Sequence, residues 1–156
     1  MAEDEELSVE TASDLSGDPA LTSLVYTVEL VSFTQEGVSI GLPLTLIVGG
    51  ATVTGTLTAA RVWWPGMEDR YRAMTAAPGT DPDAAAIFTA AMADATHSVW
   101  GQVFAEEPEF SKIDYLHLSG ARVVHAQGLV PQLEGLAMRI RLSDVQGWSI
   151  GLLSPS

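Results

Sequence analysis

Apolar residues occupy every second position from Val38 to Val48: Val38, Ile40, Leu42, Leu44, Leu46 and Val48. Such alternation predicts a strand with one buried face. After Gly49-Gly50 it resumes, with Ala51, Val53, Gly55, Leu57 and Ala59 on one face and Thr52, Thr54, Thr56 and Thr58 on the other. Two adjacent glycines accept the positive φ angles of a two-residue hairpin loop, so residues 38–60 read as a β-hairpin. A loop at 49–50 places 48 opposite 51, 46 opposite 53, 44 opposite 55 and 42 opposite 57, and each pair joins apolar face to apolar face. Thr45 falls opposite Thr54 on the other face, which is expected to meet solvent. A one-residue slip would turn an apolar set outward, so this register is strongly specified. Pro43 cannot donate to a ladder and is expected at an edge or a bulge.

The hairpin is flanked by helical patterns. Asp18-Pro19 is a start signal, with an aspartate able to cap and a proline suited to the first helical position. Leu21, Leu24, Val25 and Val28 follow at helical spacing, and the predicted helix covers 19–35. Beyond the hairpin, Arg61 to Gly66 reads as the end of the second strand and a turn, and Met67 to Met74 as a short helix. Asp81-Pro82 repeats the start signal before an alanine-rich helix over 82–105. Ile87, Phe88, Ala91, Ala95, Val99 and Phe104 are its expected buried positions. Tyr115 to Ala126 reads as a strand kinked at Ser119-Gly120, and 127–135 as a Gly/Pro loop. Met138, Ile140 and Leu142, then Trp148, Ile150 and Leu152, alternate with other residues. They are expected to pair as a last hairpin, with 142 opposite 148 and 140 opposite 150. The expected class is α+β: a small antiparallel sheet or partly open barrel of about five strands, with an N-terminal helix and a helical insertion at about 65–110.

Charge alters this picture at the N-terminus. Of the 20 acidic residues, Glu3, Asp4, Glu5, Glu6, Glu10, Asp14 and Asp18 lie in the first 18 positions, and the first basic residue is Arg61. Residues 1–18 read as a disordered acidic tail, and 19–156 as one domain. A formal net charge of −13 disfavours nucleic acid and anionic membranes as partners. The start lacks the basic and apolar regions of a signal peptide, and no run reaches the roughly 20 apolar residues of a membrane span. A cytoplasmic location is expected. The absence of cysteine removes disulfides, thiolate metal sites and cysteine nucleophiles.

No nucleophile elbow, P-loop or dinucleotide fingerprint is present. His97, His117 and His125 form no metal-ligand spacing and are expected to be surface or structural residues. No catalytic residue, cofactor or metal is expected. The interaction candidates are Trp64, Arg139 and Arg141. In a strand that continues past 60, parity sends Trp63 inward and Trp64 outward, either beneath residues 67–105 or toward a partner. Arg139 and Arg141 share one strand face, which is either simply solvated or a dock for acidic segments, including a neighbour's tail.

The stretches Gly37–Ala60, Tyr115–Val124 and Arg139–Gly151 together resemble the gas vesicle accessory protein U family in order and spacing. The resemblance implies a non-catalytic accessory protein of gas vesicles. Its implied partners are vesicle components or further copies of itself, and its implied location is gas-vesicle-associated. A weaker likeness is to Sm-like barrels, through the glycine and leucine spacing of Gly50, Gly55 and Leu57 and through Ile140-Arg141 with Val145. It implies an RNA-binding module as an alternative. However, Arg61 stands where that family carries an aspartate. A small-molecule-binding or enzymatic barrel is the third reading.

Overall fold

The computed structural model describes residues 17–35, 37–74, 78–132 and 134–153. The acidic tail, apart from Gly17 and Asp18, lies outside them. The chain runs α1 (Pro19–Thr34), β1 (Gly41–Val48), β2 (Ala51–Thr58), α2 (Ala60–Ala73), α3 (Pro82–Val103), β3 (Tyr115–His125), β4 (Gly128–Val130), β5 (Leu136–Arg141) and β6 (Val145–Ile150). A short 3₁₀ turn over Leu142–Asp144 joins β5 to β6.

Both start signals act as expected. The Asp18 carboxylate accepts from the Ala20 N–H at 2.8 Å and the Leu21 N–H at 3.4 Å. Asp81 accepts from the Asp83 N–H at 3.0 Å. The hairpin also forms in the expected register, with Leu44 opposite Gly55 and Leu46 opposite Val53, and its turn glycines have φ of 57° and 80°. Pro43 lies just beyond the β6 ladder, and its carbonyl accepts from the Gly151 N–H.

The core is one layer between α1 and the inner sheet face. Leu21, Val25 and Val28 of α1 meet Leu44, Leu46, Val53, Leu57, Leu116, Leu118, Ile140 and Leu142. Each such aliphatic side chain contributes about 1.5–3 kcal/mol by leaving water. This contact explains how α1 forms despite its β-branched residues: tertiary burial outweighs weak local propensity.

The threonine face departs from expectation. Thr54 is only 3% exposed and Thr58 only 7%, although alternation points both toward solvent. The C-terminal strip folds over the first: Thr45 Oγ1 donates to the Gly151 carbonyl at 2.8 Å, and the Leu153 N–H donates to Thr54 Oγ1 at 3.1 Å. Thr58 Oγ1 bonds the Ser119 hydroxyl at 3.2 Å. Each hydroxyl therefore has a partner, which is the condition for burying it at low cost.

Two further expectations are corrected. Residues 61–66 are not strand and turn but the first turns of α2, which runs through Pro65 to Ala73. Parity therefore does not govern Trp63 and Trp64, though Trp63 is buried all the same. The expected last hairpin is also absent. β5 pairs with β3, with Tyr115 opposite Arg141 and His117 opposite Arg139, whereas β6 pairs with β1. The three-residue 3₁₀ turn carries the chain from one sheet edge to the other. So short a link requires a strongly curled sheet. The sheet order is β4-β3-β2-β1-β6, with β5 also on β3, and among the described residues β5 and β6 do not pair. The sheet is thus curled but not closed into a barrel.

Helices α2 and α3 pack against each other and reach the sheet face opposite α1 through β3. The expected buried face of α3 is not the one used: Ile87 is 72% exposed and Phe88 61%, and Ala91 and Ala95 are exposed, while Ala93 is buried. Phe104 is half-buried, and the Val99 side chain lies outside the described ones.

Candidate functional site

A cleft of about 270 Å³ opens where α2 and α3 meet β3 and β5. Trp64, Trp100, Phe104, Tyr115, His117 and Arg139 are among its walls. Its formation follows from the strand register. His117 and Arg139 are directly opposed, and Tyr115 lies two residues away on the same face, at diagonal range. The Arg139 guanidinium sits 3.6 Å above the Tyr115 ring, 5.4 Å from the Trp100 ring and 6.0 Å from that of Trp64. Trp64 stacks on Trp100, with centroids 3.9 Å apart. The fold thereby joins two of the three interaction candidates, Trp64 and Arg139. Arg141 attaches through the other end of Tyr115, donating to its hydroxyl at 3.3 Å, with its guanidinium 5.6 Å from the ring. Cation–π contacts at exposed positions contribute about 0.5–1 kcal/mol each. Their larger effect here is to hold both arginines in defined orientations.

Trp63 closes the floor. Its indole N–H donates to the Leu118 carbonyl at 3.0 Å, and its ring meets Trp64 edge-on at 4.8 Å and His117 at 5.0 Å. His117 is 5% exposed, and neither ring nitrogen has a protein partner among the described residues; the same holds for Trp64 Nε1. Burial, with a smaller effect from the Arg139 charge, lowers the His117 pKa from 6.5 to about 4. The imidazole is therefore neutral at neutral pH. On the far side, the Glu29 carboxylate accepts from the Ala60 N–H at 2.7 Å. Burial raises its pKa, offset in part by that hydrogen bond and by Arg61. Arg61 donates to the Ser32 and Phe104 carbonyls and lies 4.7 Å from the Phe33 ring, so it ties α1 to α2 and to the end of α3.

The His117 environment gives a pH prediction. Between about pH 6.5 and 4 the unfolded chain takes up a proton that folded His117 refuses. Stability is then expected to fall as pH falls through that window, by roughly 3 kcal/mol in total from this residue. Glu29 acts in the opposite sense, because its raised pKa favours protonation in the folded state. Urea midpoints measured across the window should show a shallower acid loss for His117→Phe than for the wild type. Equal slopes would mean that His117 is solvated in the folded protein.

Trp100, Tyr115 and His117 join Trp64 and Arg139 without any warning in the linear pattern. The signal for the strand residues is the β3–β5 pairing, which alternation alone replaces by a β5–β6 hairpin. The signal for Trp100 is that it faces α2, and periodicity assigns that face to other residues. Among the described residues no group of His, Cys, Asp and Glu is placed to hold a metal ion. No helix among them is long and apolar enough to cross a membrane. No curated protein and no solved structure matches the chain. The family model described as gas vesicle protein GvpU-like matches residues 23–153, which span α1 from its second turn, the complete sheet and both walls of the cleft. By that match, the chain belongs to the gas vesicle protein GvpU-like family.

Proposed function

We propose that this protein is a non-catalytic gas vesicle accessory protein that acts by protein–protein contact, including association with further copies of itself along a free sheet edge. The observation carrying this reading is topological. β5 pairs only with β3 and β6 only with β1, so each keeps one unpaired edge among the described residues. Unpaired edges present backbone N–H and C=O groups that template pairing with another strand. Ile150, 64% exposed, adds an apolar side chain beside the β6 edge. Light scattering after size exclusion is expected to show an assembly larger than one chain, and the protein is expected to sediment with isolated vesicles. Ile150→Lys places a charge at that edge and is expected to shift the assembly toward the single chain. A wild-type protein that is monomeric and stays in solution away from vesicles would overturn the reading.

A second reading, binding of a small molecule, rests on the unpartnered Trp64 Nε1 and His117 nitrogens lining the cleft. The apolar layer beneath α1 is filled, so a ligand of this kind belongs in the cleft and not between α1 and the sheet. The RNA-binding alternative gains no such support, since Arg61 is spent on backbone carbonyls.

A further inference from the structure

We infer that the cleft between α2, α3, β3 and β5 binds a small aryl monocarboxylate, a ligand class that rests on the small-molecule reading of that cleft. Three features of its walls carry this.

The first is a convergence of donors on the floor. Trp64 Nε1 and both His117 ring nitrogens are buried without a hydrogen-bond partner, and His117 as a whole is only 5% exposed. Buried polar atoms are almost always paired, so each of these marks a missing partner. An indole N–H can only donate, and an imidazole that is neutral at neutral pH carries one N–H. Arg139 faces His117 across the β3–β5 ladder, and its guanidinium, which has donors only, lies 6.0 Å from the Trp64 ring centre. The Trp64 and His117 rings are themselves 6.1 Å apart. Three neighbouring side chains can thus donate to one ligand group, and that group must supply acceptors. The Arg139 charge favours an anionic acceptor over a neutral one. At 3.6 Å above the Tyr115 ring the guanidinium has room only for a roughly parallel stack, so its N–H groups point sideways. That presents the fork suited to a carboxylate.

The second is the shape of the apolar wall. Trp64 stacks on Trp100 with planes 17° apart, and Trp100 on Phe104 with planes 18° apart. Nearly parallel rings make a wall that takes a further flat ring in the offset packing aromatic groups prefer. A volume of about 270 Å³ is at the small end for ligand sites, so the ligand body is one ring or two fused rings.

The third is charge around the rim. Glu29, Glu106, Glu107 and Glu109 border the same cleft. Lys112, beside them, is held by Glu109 at 2.8 Å, and Arg61 donates to the Ser32 and Phe104 carbonyls. A second negative charge on the ligand would meet these carboxylates, and the net charge of −13 adds to the repulsion. Phosphate esters and dicarboxylates are therefore disfavoured, which leaves a single carboxylate at the Arg139 end.

Calorimetric titration of the full chain with four naphthalene probes tests this: naphthoate, its neutral amide, naphthyl phosphate and naphthylmethylammonium. Naphthoate is expected to bind at least about tenfold more tightly than each of the others, as pairing of a charged hydrogen-bonding group implies. Arg139→Gln is expected to weaken naphthoate by about tenfold and to leave the amide within about twofold, and Arg139→Lys to restore part of the loss. Arg139 is exposed, and an unchanged circular dichroism spectrum checks that both variants fold. Imidazole NMR signals report the location. The chain has three histidines, and naphthoate should move the signal of His117, assigned through His117→Phe, and not those of His97 or His125. A neutral, phosphate or ammonium probe bound as tightly as naphthoate would overturn the carboxylate assignment while the small-molecule reading stands. Naphthoate binding indifferent to Arg139→Gln, or leaving the His117 signal unmoved, would do the same. No heat and no shift with any probe would remove the small-molecule reading and the inference with it.

Discussion

Replacing Trp63 by alanine is expected to lower the unfolding free energy by about 3–5 kcal/mol, the range for deleting a buried aromatic side chain. Trp63 is 6% exposed and, with Trp64, packs α2 against His117 of β3. It fills the space between α2 and β3, bonds the Leu118 carbonyl and supports both Trp64 and His117. Loss of its ring leaves a cavity that a helix containing Pro65 is poorly placed to collapse into. Trp63→Phe keeps most of the packing and removes the donor, so its cost should be smaller, about 1–2 kcal/mol. Urea unfolding measures both. In the alanine variant the cleft should also open, with the emission of the remaining tryptophans shifted to the red. If Trp63→Ala cost no more than Trp63→Phe, the ring would not be the bond between helix and sheet described here.

Gly135→Ala is expected to cost about 3 kcal/mol, at the upper end for forcing atoms into an occupied space. A Cβ at Gly135 would overlap the backbone carbonyl group and Cα of Gly120. Backbone cannot step aside as a flexible side chain can. The crossing occurs where β3 is kinked: its register shifts between Leu118 and Ala121 against β5, and Gly120 has φ of 62°. Gly55 packs against the same kink, where a Cβ would lie 3.0 Å from the Ala121 Cα. Gly120→Ala is the informative comparison. Its Cβ would meet open space, so the cost is that of the left-handed conformation alone, about 1–2 kcal/mol. A Gly135→Ala loss no larger than that of Gly120→Ala would show that the two backbones do not pass so closely.

Local chemistry makes some parts of this protein legible from the amino acids alone. Residues 41–58 form the expected hairpin because the period-two pattern and Gly49-Gly50 specify one register between them. The Asp-Pro pairs start α1 and α3 because capping and proline φ act within a few residues. The kink at Ser119-Gly120 is likewise marked by its glycine.

Other features depend on what covers what. Met138, Ile140 and Leu142 alternate as well as any strand, but alternation does not name the neighbour. That β5 lies on β3 and β6 on β1 is decided by sheet curvature and the 3₁₀ turn. Thr54 and Thr58 look like solvent-facing positions until the C-terminal strip and Ser119 supply hydrogen-bond partners. Alanine is apolar on every side of α3, so composition cannot say that Ala93 faces inward while Ile87 and Phe88 face out. The cleft has the same origin. Trp64 and Arg139 stand apart in sequence, and only the packing of α2 and α3 on β3 and β5 joins them to Trp100, Tyr115 and His117. Thus the ribbon at 41–58, the helix starts and the charge imbalance follow from short-range rules of the chain itself, whereas edge pairing, the buried threonines and the arginine–aromatic cleft follow from long-range contacts, because burial is a property of the assembled fold and not of any segment.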